Sequence, residues 1–300
     1  MNSPGSKSAP TGTLYVVATP LGNLQDLSQR AIEVLKQVDL VAAEDTRRSR
    51  ALLSHFGISA QMESYHGDSS PARIQHIVKQ LVSGKHVALL SDSGTPAVSD
   101  PGAELVRQAV DRGVKVVPIP GPSAVTTAFS VAGISASGFL FAGYPPRKAS
   151  EKRQFLAQIA AQPRPVILYE APQRVAETLQ LLVEVCPQRQ IVIARELTKL
   201  HEEIRYGLVA EIAEAISSQE QRGEFTLVLN AAPQPTRSSR ISEENVREAV
   251  EAMLGAGLSH RDAARIIELL TGLSRNEAYQ SVQRLDTPET DLPGATEASD

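Results

Sequence analysis

A chain of 300 residues, 42% of them hydrophobic, with a net charge of −4, has the apolar mass for about two packed domains. No apolar run approaches the roughly 18 residues of a membrane span. The single cysteine, Cys186, excludes an internal disulfide and a cysteine-rich zinc site and suits a reducing cytosol, so a cytoplasmic location is expected.

In chain order, residues 1–12 lack an apolar signal core and read as a disordered tail. From there short apolar runs alternate with amphipathic ones: LYVVAT (14–19), LVAAE (40–44), MESYH, HVALLSD and KVVPIPG (115–121) are strand candidates, separated by helical patterns. Ser70 and Pro71 mark one helix start and Gly84 its stop. Strands continue as FLFAGYP, PVILYEA, QIVIARELT, IRYGLV and FTLVLNAA. The fold class expected is α/β, with an N-terminal domain over 13–124 and a second over 125–232. PQPTRSSR (233–240) reads as a linker, 241–285 as a three-helix module with a Ser274–Glu277 capping box and an apolar stripe of Ala263, Ile266, Ile267 and Leu270, and 286–300 as a second disordered tail.

One loop stands out. SDSGTPAVSDPG (91–102) follows the fourth strand, and its prolines, glycines and Asp/Ser residues cannot continue a strand or fill a core. Its second half reads as a helix start, with Asp100 as N-cap and Pro101 in the first helical position. SDSGTP is left unexplained by that role. VATPLGNLQDLS (17–28) and PIPGPSAVTTA (118–128) leave the first and fifth strands, so all three segments are expected at one sheet edge, where ligands of open α/β sheets bind. None contains GxGxxG or GxxxxGK[ST], which leaves a Rossmann dinucleotide site and a P-loop unsupported. Small hydroxyls and backbone donors in a tight cleft suit a zwitterionic, nucleoside-containing ligand.

The segments LYVVATPLGNLQDLSQRAIEVLKQVDLVAAEDTRRSRALLSHFGI, LLSDSGTPAVSDPG, VVPIPGPSAV, LFAGYPPRK, LYEAPQRV, IARELTK, RGEFTLVL and GLSRNEAY together resemble the ribosomal RNA small subunit methyltransferase I group of the tetrapyrrole methylase superfamily, from about residue 13 to 285. The resemblance implies two α/β domains with S-adenosylmethionine in the cleft between them, a homodimer, and 2′-O-methylation of a cytidine in 16S ribosomal RNA or the small subunit, without a metal. It implies a cofactor site of Pro20, then Asp92, Ser93, Gly94, Thr95 and Pro96, with Ser123 and Ala124 at the amino-acid end of the cofactor and Tyr169, Glu170, Glu224, Phe225 and Thr226 closing over the adenine.

Methyl transfer to a hydroxyl requires in-line placement, exclusion of water and a proton acceptor. The clustered candidates for catalysis are Glu44, Asp45 and Arg47 of AEDTRRSR and Arg195 and Glu196 of ARELTK, and those for RNA contact are Arg48, Arg50, Arg147, Lys148 and Lys199. A charge run opening a helix also reads as a solvated face. In YHGDSS the chain keeps His66 but has Gly67, Asp68, Ser69 and Ser70 where the family tends to carry an Asn-Glu pair, which leaves Asp68 as the substitute acid. Two alternatives remain at this point: a precorrin-type small-molecule methyltransferase, and a non-catalytic cofactor-sensing or ribosome-assembly module.

Overall fold

The computed structural model describes residues 10–217, 222–233, 243–271 and 273–286. The expected tails, apart from 10–12 and 286, and nearly all of the 233–240 linker lie outside the described residues. The chain divides into two compact units, Met1–Ala232 and Pro233–Asp300.

The first sheet holds β1 (Thr13–Val17), β2 (Leu40–Ala43), β3 (Met62–Ser64), β4 (Val87–Leu90) and β5 (Lys115–Ile119) in the order β3-β2-β4-β1-β5. Every pairing is parallel. Parallel strands covered on both faces read as continuous apolar runs, and LVAA and VALL are buried at all four positions. The connecting helices are α1 (Gln29–Leu35), α2 (Thr46–His55), α3 (Pro71–Val82) and α4 (Ala103–Asp111). Alternate strand residues divide between them: Leu14, Leu40, Ala42, Val87 and Leu89 face Ile77, Leu81, Leu105 and Ala109 of α3 and α4. Val17, Val41, Ala43, Ala88 and Leu90 face Ala31, Leu35 and Leu53 of α1 and α2. Side chains satisfy the first backbone donors of three helices, Ser28 accepting from Ala31 N, Asp45 from Arg47 N and Ser70 from Arg73 N. Gly12, read from sequence as tail, already donates its N–H to Leu81 O at 2.8 Å.

The helix α4 begins later than expected. Its N-cap is Gly102, at φ +151°, with no side-chain cap bond, so Asp100 and Pro101 lie in the loop. An added Cβ on Gly102 would sit 3.1 Å from Ala97 N and from Leu89 Cδ2. Close packing and a positive φ together require glycine there, and this tertiary demand overrides the local Asp-Pro signal.

The second sheet comprises β6 (Leu140–Gly143), β7 (Val166–Glu170), β8 (Gln190–Arg195), β9 (Glu203–Leu208) and β10 (Phe225–Leu229), in the order β6-β7-β10-β8-β9. The β6/β7 pair is parallel, and β10 runs antiparallel to both β7 and β8. Helices α6 (Ala149–Ala160), α7 (Pro172–Val185) and α8 (Val209–Ser217) belong to this half. One face carries Val166, Leu168, Ile191, Ile193, Leu227 and Leu229 against Leu156, Leu179 and Ile212. The other carries Ile167, Val192, Ala194 and Val228 against Val125 and Ala128 of α5 (Ala124–Val131). The loop after β8 reaches the loop after β1: Thr198 Oγ1 accepts from Asn23 N at 3.2 Å, and the Lys199 side chain lies where a Cβ on Gly22 would be, 2.1 Å from Lys199 Cγ.

The second unit packs α9 (Glu243–Gly255), α10 (His260–Thr271) and α11 (Arg275–Asp286) around Val250, Ala263, Ala264, Ile267, Ala278 and Val282. Ser274 and Glu277 form the capping box, Ser274 N donating to Glu277 Oε2 at 2.8 Å and Glu277 N to Ser274 Oγ at 3.4 Å. Leu270 is 60% exposed, because three short helices bury one stripe of α10 and that stripe runs through 263, 264 and 267.

Candidate active site

Because β4, β1 and β5 are adjacent and parallel, their C-terminal ends share one edge. The three loops that leave them are tied together there. Thr19 N donates to Gly94 O at 2.8 Å and Gly94 N to Thr19 O at 3.1 Å, and Thr95 Oγ1 donates to Pro122 O at 3.0 Å. Gly94 sits at φ +77°, a conformation that glycine adopts without steric cost.

These loops and the second sheet enclose a cavity of about 170 Å³. Its floor is Ser93, Gly94 and Thr95; Ser123 and Ala124 open α5 beside it. Leu21, Val98, Leu197 and Phe225 form its apolar walls. Tyr144 and Tyr169 line it as an edge-to-face pair with ring centroids 5.5 Å apart, and Thr226 lies next to them in the lining. The acids Glu44, Asp92, Asp100 and Glu224 complete it, with Arg48.

The charged groups differ in state. Arg48 Nη1 lies 3.3 Å from Asp92 Oδ2, and the other carboxylate oxygen of Asp92 accepts from Asp45 N at 2.9 Å. Glu44 Oε2 accepts from Asp92 N at 3.3 Å. Burial first, then the neighbouring Glu44, Asp92 and Glu224 charges, push the Asp100 carboxyl up to about 6 against an opposing hydrogen bond from Ser91. Burial likewise pushes the Tyr169 phenol up to about 12, helped by Tyr144 and Asp100, so it stays protonated.

Twelve of the residues singled out from sequence line this cavity: Glu44, Arg48, Asp92, Ser93, Gly94, Thr95, Ser123, Ala124, Tyr169, Glu224, Phe225 and Thr226. Others lie elsewhere. Pro20 and Pro96 are buried outside the lining. Glu170 turns into the core, its side chain 0% exposed, 3.9 Å from Lys152 Nζ and accepting from Thr178 Oγ1 at 2.5 Å. Tyr169 and Glu170 are consecutive strand residues and must face opposite sides of the sheet.

The same alternation puts Arg195 on the face of Ile191 and Ile193, where its Nε donates to Arg222 O at 2.8 Å and its guanidinium lies over the Phe225 ring at 5.9 Å. Glu196, at φ +51°, accepts from Glu224 N at 2.9 Å and from Lys199 Nζ at 2.8 Å, which makes it a brace for the loop. Asp45 caps α2, and the Arg47 guanidinium holds its carboxyl down to about 2. Arg47, Arg50, Arg147 and Lys148 are exposed outside the lining. Asp68 is exposed in a turn closed by Ser69 N donating to His66 O at 2.9 Å, also outside the lining. Sequence reasoning did not single out Leu21, Val98, Tyr144 or Leu197, and gave Asp100 only a capping role. All five stand inside or beside segments it quoted, so position was legible while side-chain direction was not.

The arrangement suits a ligand with separate charged ends. Ser123 makes no side-chain cap to α5, leaving first-turn N–H groups available for a carboxylate. The acids suit positive charge, and the tyrosine pair with its apolar neighbours suits a flat ring. Among the described residues, no group of three or more His, Cys, Asp or Glu is arranged to hold a metal ion.

Known proteins have the same organisation. Residues 13–213 match the family Tetrapyrrole (Corrin/Porphyrin) Methylases. Ribosomal RNA small subunit methyltransferase I of Synechocystis sp. is 40% identical over 270 residues, covering 90% of this chain and 96% of that protein. The chain belongs to the ribosomal RNA small subunit methyltransferase I family. The family member of Pseudomonas aeruginosa is 42% identical over 272 residues, with 90% of this chain and 96% of that one covered. Among solved structures, uroporphyrin-III C-methyltransferase from Thermus thermophilus in complex with S-adenyl homocysteine superposes with a TM-score of 0.54 at 19% identity, covering 73% of this chain and 97% of that one. A cobalt precorrin-4 methyltransferase does so with a TM-score of 0.57 at 17% identity, with 73% and 94% covered. At those identities the structural likeness establishes the fold, two α/β sheets of the tetrapyrrole methylase type, while the family relationship makes the chain a methyltransferase.

Proposed function

We propose that this protein transfers a methyl group from S-adenosylmethionine to the 2′-hydroxyl of a cytidine in 16S ribosomal RNA, as a cytoplasmic homodimer. The observation that carries the RNA reading is the extent of the likeness. Small-molecule methyltransferases of this fold cover 73% of the chain and the tetrapyrrole methylase match ends at residue 213. The ribosomal RNA relatives are about 40% identical across 90% of it, which takes in helices beyond the shared fold.

When bound, S-adenosylmethionine supplies an electrophilic methyl group on a sulfonium. The α5 N-terminus at Ser123 and Ala124 receives its carboxylate, the backbone of Ser93, Gly94 and Thr95 approaches it closely, and Tyr169 and Thr226 meet the adenine. Exclusion of water falls to Leu21, Val98, Leu197 and Phe225. Arg48 at the cavity, with Arg47, Arg50, Arg147, Lys148 and the second unit, holds the RNA through its phosphates.

The test is incorporation of labelled methyl groups into naked 16S RNA, isolated small subunits and a tetrapyrrole precursor. Label is expected in an alkali-resistant dinucleotide from the RNA or subunit. Label in the tetrapyrrole alone would replace the RNA reading, and sedimentation of the purified chain as a monomer would remove the homodimer.

A further inference from the structure

The pairing of β6 with β7 carries the chain to the cavity but does not hold Tyr144 there. The ladder shifts register between Phe141 and Gly143, Gly143 turns at φ +67°, and Tyr144, Pro145 and Pro146 follow. Neither proline has an N–H to donate, so these two residues cannot fix the turn with donors of their own. One side chain supplies them instead. Arg174 Nη2 donates to Pro145 O at 2.7 Å and to Pro146 O at 2.8 Å. We propose that Arg174 is a positioning residue for methyl transfer, gripping these two carbonyls so that the Tyr144 ring stays in the cavity wall, an inference that rests on the methyl-transfer reading of this cavity.

Local propensity does not account for where Arg174 stands. It is the third residue of α7, and a cation in the first turn of a helix opposes the macrodipole. Its partners do account for it. Glu170 Oε1 lies 3.5 Å from Arg174 Nε, and Glu170 is itself fixed: Oε1 accepts from Ala171 N at 2.9 Å and Oε2 from Thr178 Oγ1 at 2.5 Å. Burying an acid this completely costs desolvation that apolar packing would avoid. What the acid contributes is aim. With Nε directed at Glu170, the rigid plane of the guanidinium sends Nη2 toward the turn.

Tyr144 depends on that grip because little else restrains it. Its ring lines the cavity yet is half-exposed. It is the outer member of a row of three rings, meeting Tyr169 edge to face at 5.5 Å while Tyr169 meets Phe141 at 4.9 Å. An aromatic pair of this kind is worth only about 3- to 10-fold in an equilibrium. A turn released from Arg174 lets the ring leave, which opens the wall and admits water where the methyl group has to pass.

Two variants of the full chain separate this grip from charge balance. Arg174→Lys keeps a cation beside Glu170 but lacks the fork that reaches both carbonyls, and Arg174→Gln is too short to reach the turn. Both are expected to remain folded at 25 °C in melting curves. The first readout uses unliganded protein labelled with 3-fluorotyrosine, which has six signals, one for each tyrosine. The signal that disappears in Tyr144→Phe is expected to shift or broaden in both Arg174 variants, while that of Tyr15 in β1 stays in place. The second is the methyl-transfer rate with small subunits and S-adenosylmethionine both below saturation. Arg174→Lys is expected to lower it about 3- to 10-fold, the worth of one aromatic contact, but less than twofold when Tyr144→Ala is already present.

An unmoved Tyr144 signal overturns the proposal, and so does a rate loss that is equal with and without Tyr144→Ala. An unaltered rate in Tyr144→Ala alone overturns it as well, because the ring would then have no work to do. Unfolding of both Arg174 variants overturns it by making Arg174 a support of the whole sheet. Failure of the unaltered protein to methylate any RNA would instead remove the substrate reading, leaving the fluorine signal, which needs no ligand, to decide for or against the grip.

Discussion

Replacing Gly94 by valine separates the ligand role of the β4 loop from its structural role. Gly94 lies at φ +77°, where an L-residue pays about 1–2 kcal/mol and a β-branched one is confined further. A Cβ at this position would touch Leu21 Cδ2 at 3.4 Å and Pro122 O at 3.8 Å, which are ordinary contacts. The β-carbon therefore fits, and the two methyl groups beyond it enter space lined by Leu21 and Thr95. A loss of about 1–2 kcal/mol lowers the melting temperature by roughly 2–8 °C for a unit of this size, so the protein stays folded at 25 °C. Binding suffers more, because a ligand excluded from contact with the loop backbone loses at least about 3 kcal/mol, roughly 100-fold in Kd. Calorimetry with S-adenosylhomocysteine on chelator-treated protein, beside a melting curve, measures both effects. If the variant binds with unaltered affinity, the loop is purely structural and the placement of the ligand is wrong.

Asp45→Asn is expected to leave methyl transfer within a few-fold, since Asp45 acts as a helix cap; a drop of about 100-fold or more would place its carboxylate in the chemistry instead. Because the folded carboxyl of Asp45 titrates at about 2, below its unfolded value of about 3.9, its contribution to stability is complete above about pH 4 and fades as pH falls toward 2. Acid unfolding of Asp45→Asn should accordingly be flatter in that window. Lys152→Met is expected to cost about 3 kcal/mol in urea unfolding, because it leaves Glu170 buried without its only ammonium neighbour among the described residues; a change under about 1 kcal/mol would mean that Thr178 and Arg174, whose Nε lies 3.5 Å from Glu170 Oε1, alone satisfy Glu170. Removing residues 241–300 should preserve S-adenosylhomocysteine binding and weaken RNA binding with a shallower salt dependence; equal loss of both would make the C-terminal helices part of the cofactor-binding fold.

Much of this site was legible because sheet edges are predictable. Three turn-rich segments leaving parallel strands must converge, and the Thr19–Gly94 bridge shows that they do. Helix starts carried by Ser70 and by Ser274 with Glu277 were equally local. Direction was harder to read. Tyr169 and Glu170 were grouped by motif, although strand alternation sends one to the cavity and the other to the Lys152 pair. Asp100 was hidden for another reason: Asp-Pro is a good helix start on local grounds, and only the packing of Gly102 against Ala97 and Leu89 moves the helix along. Tyr144 reaches the site through the pairing of β6 with β7, which no local pattern announces.

The place of β10 in the second sheet has a consequence for folding order. It is the last strand in sequence, yet it lies in the middle, between β7 and β8, and the residues at its leading end, Glu224 to Thr226, line the cavity. Until Phe225–Leu229 emerges and inserts, β7 has a partner on one side only and β8 can pair with β9 alone. Chain synthesis therefore delivers almost the whole first unit before the site can exist. Contacts spanning such separations are slow to close, and the closing wall of the cavity is among the longest-range of them. A chain stopped between residues 102 and 224 carries the whole loop after β4 and lacks Glu224, Phe225 and Thr226, the wall that closes over it.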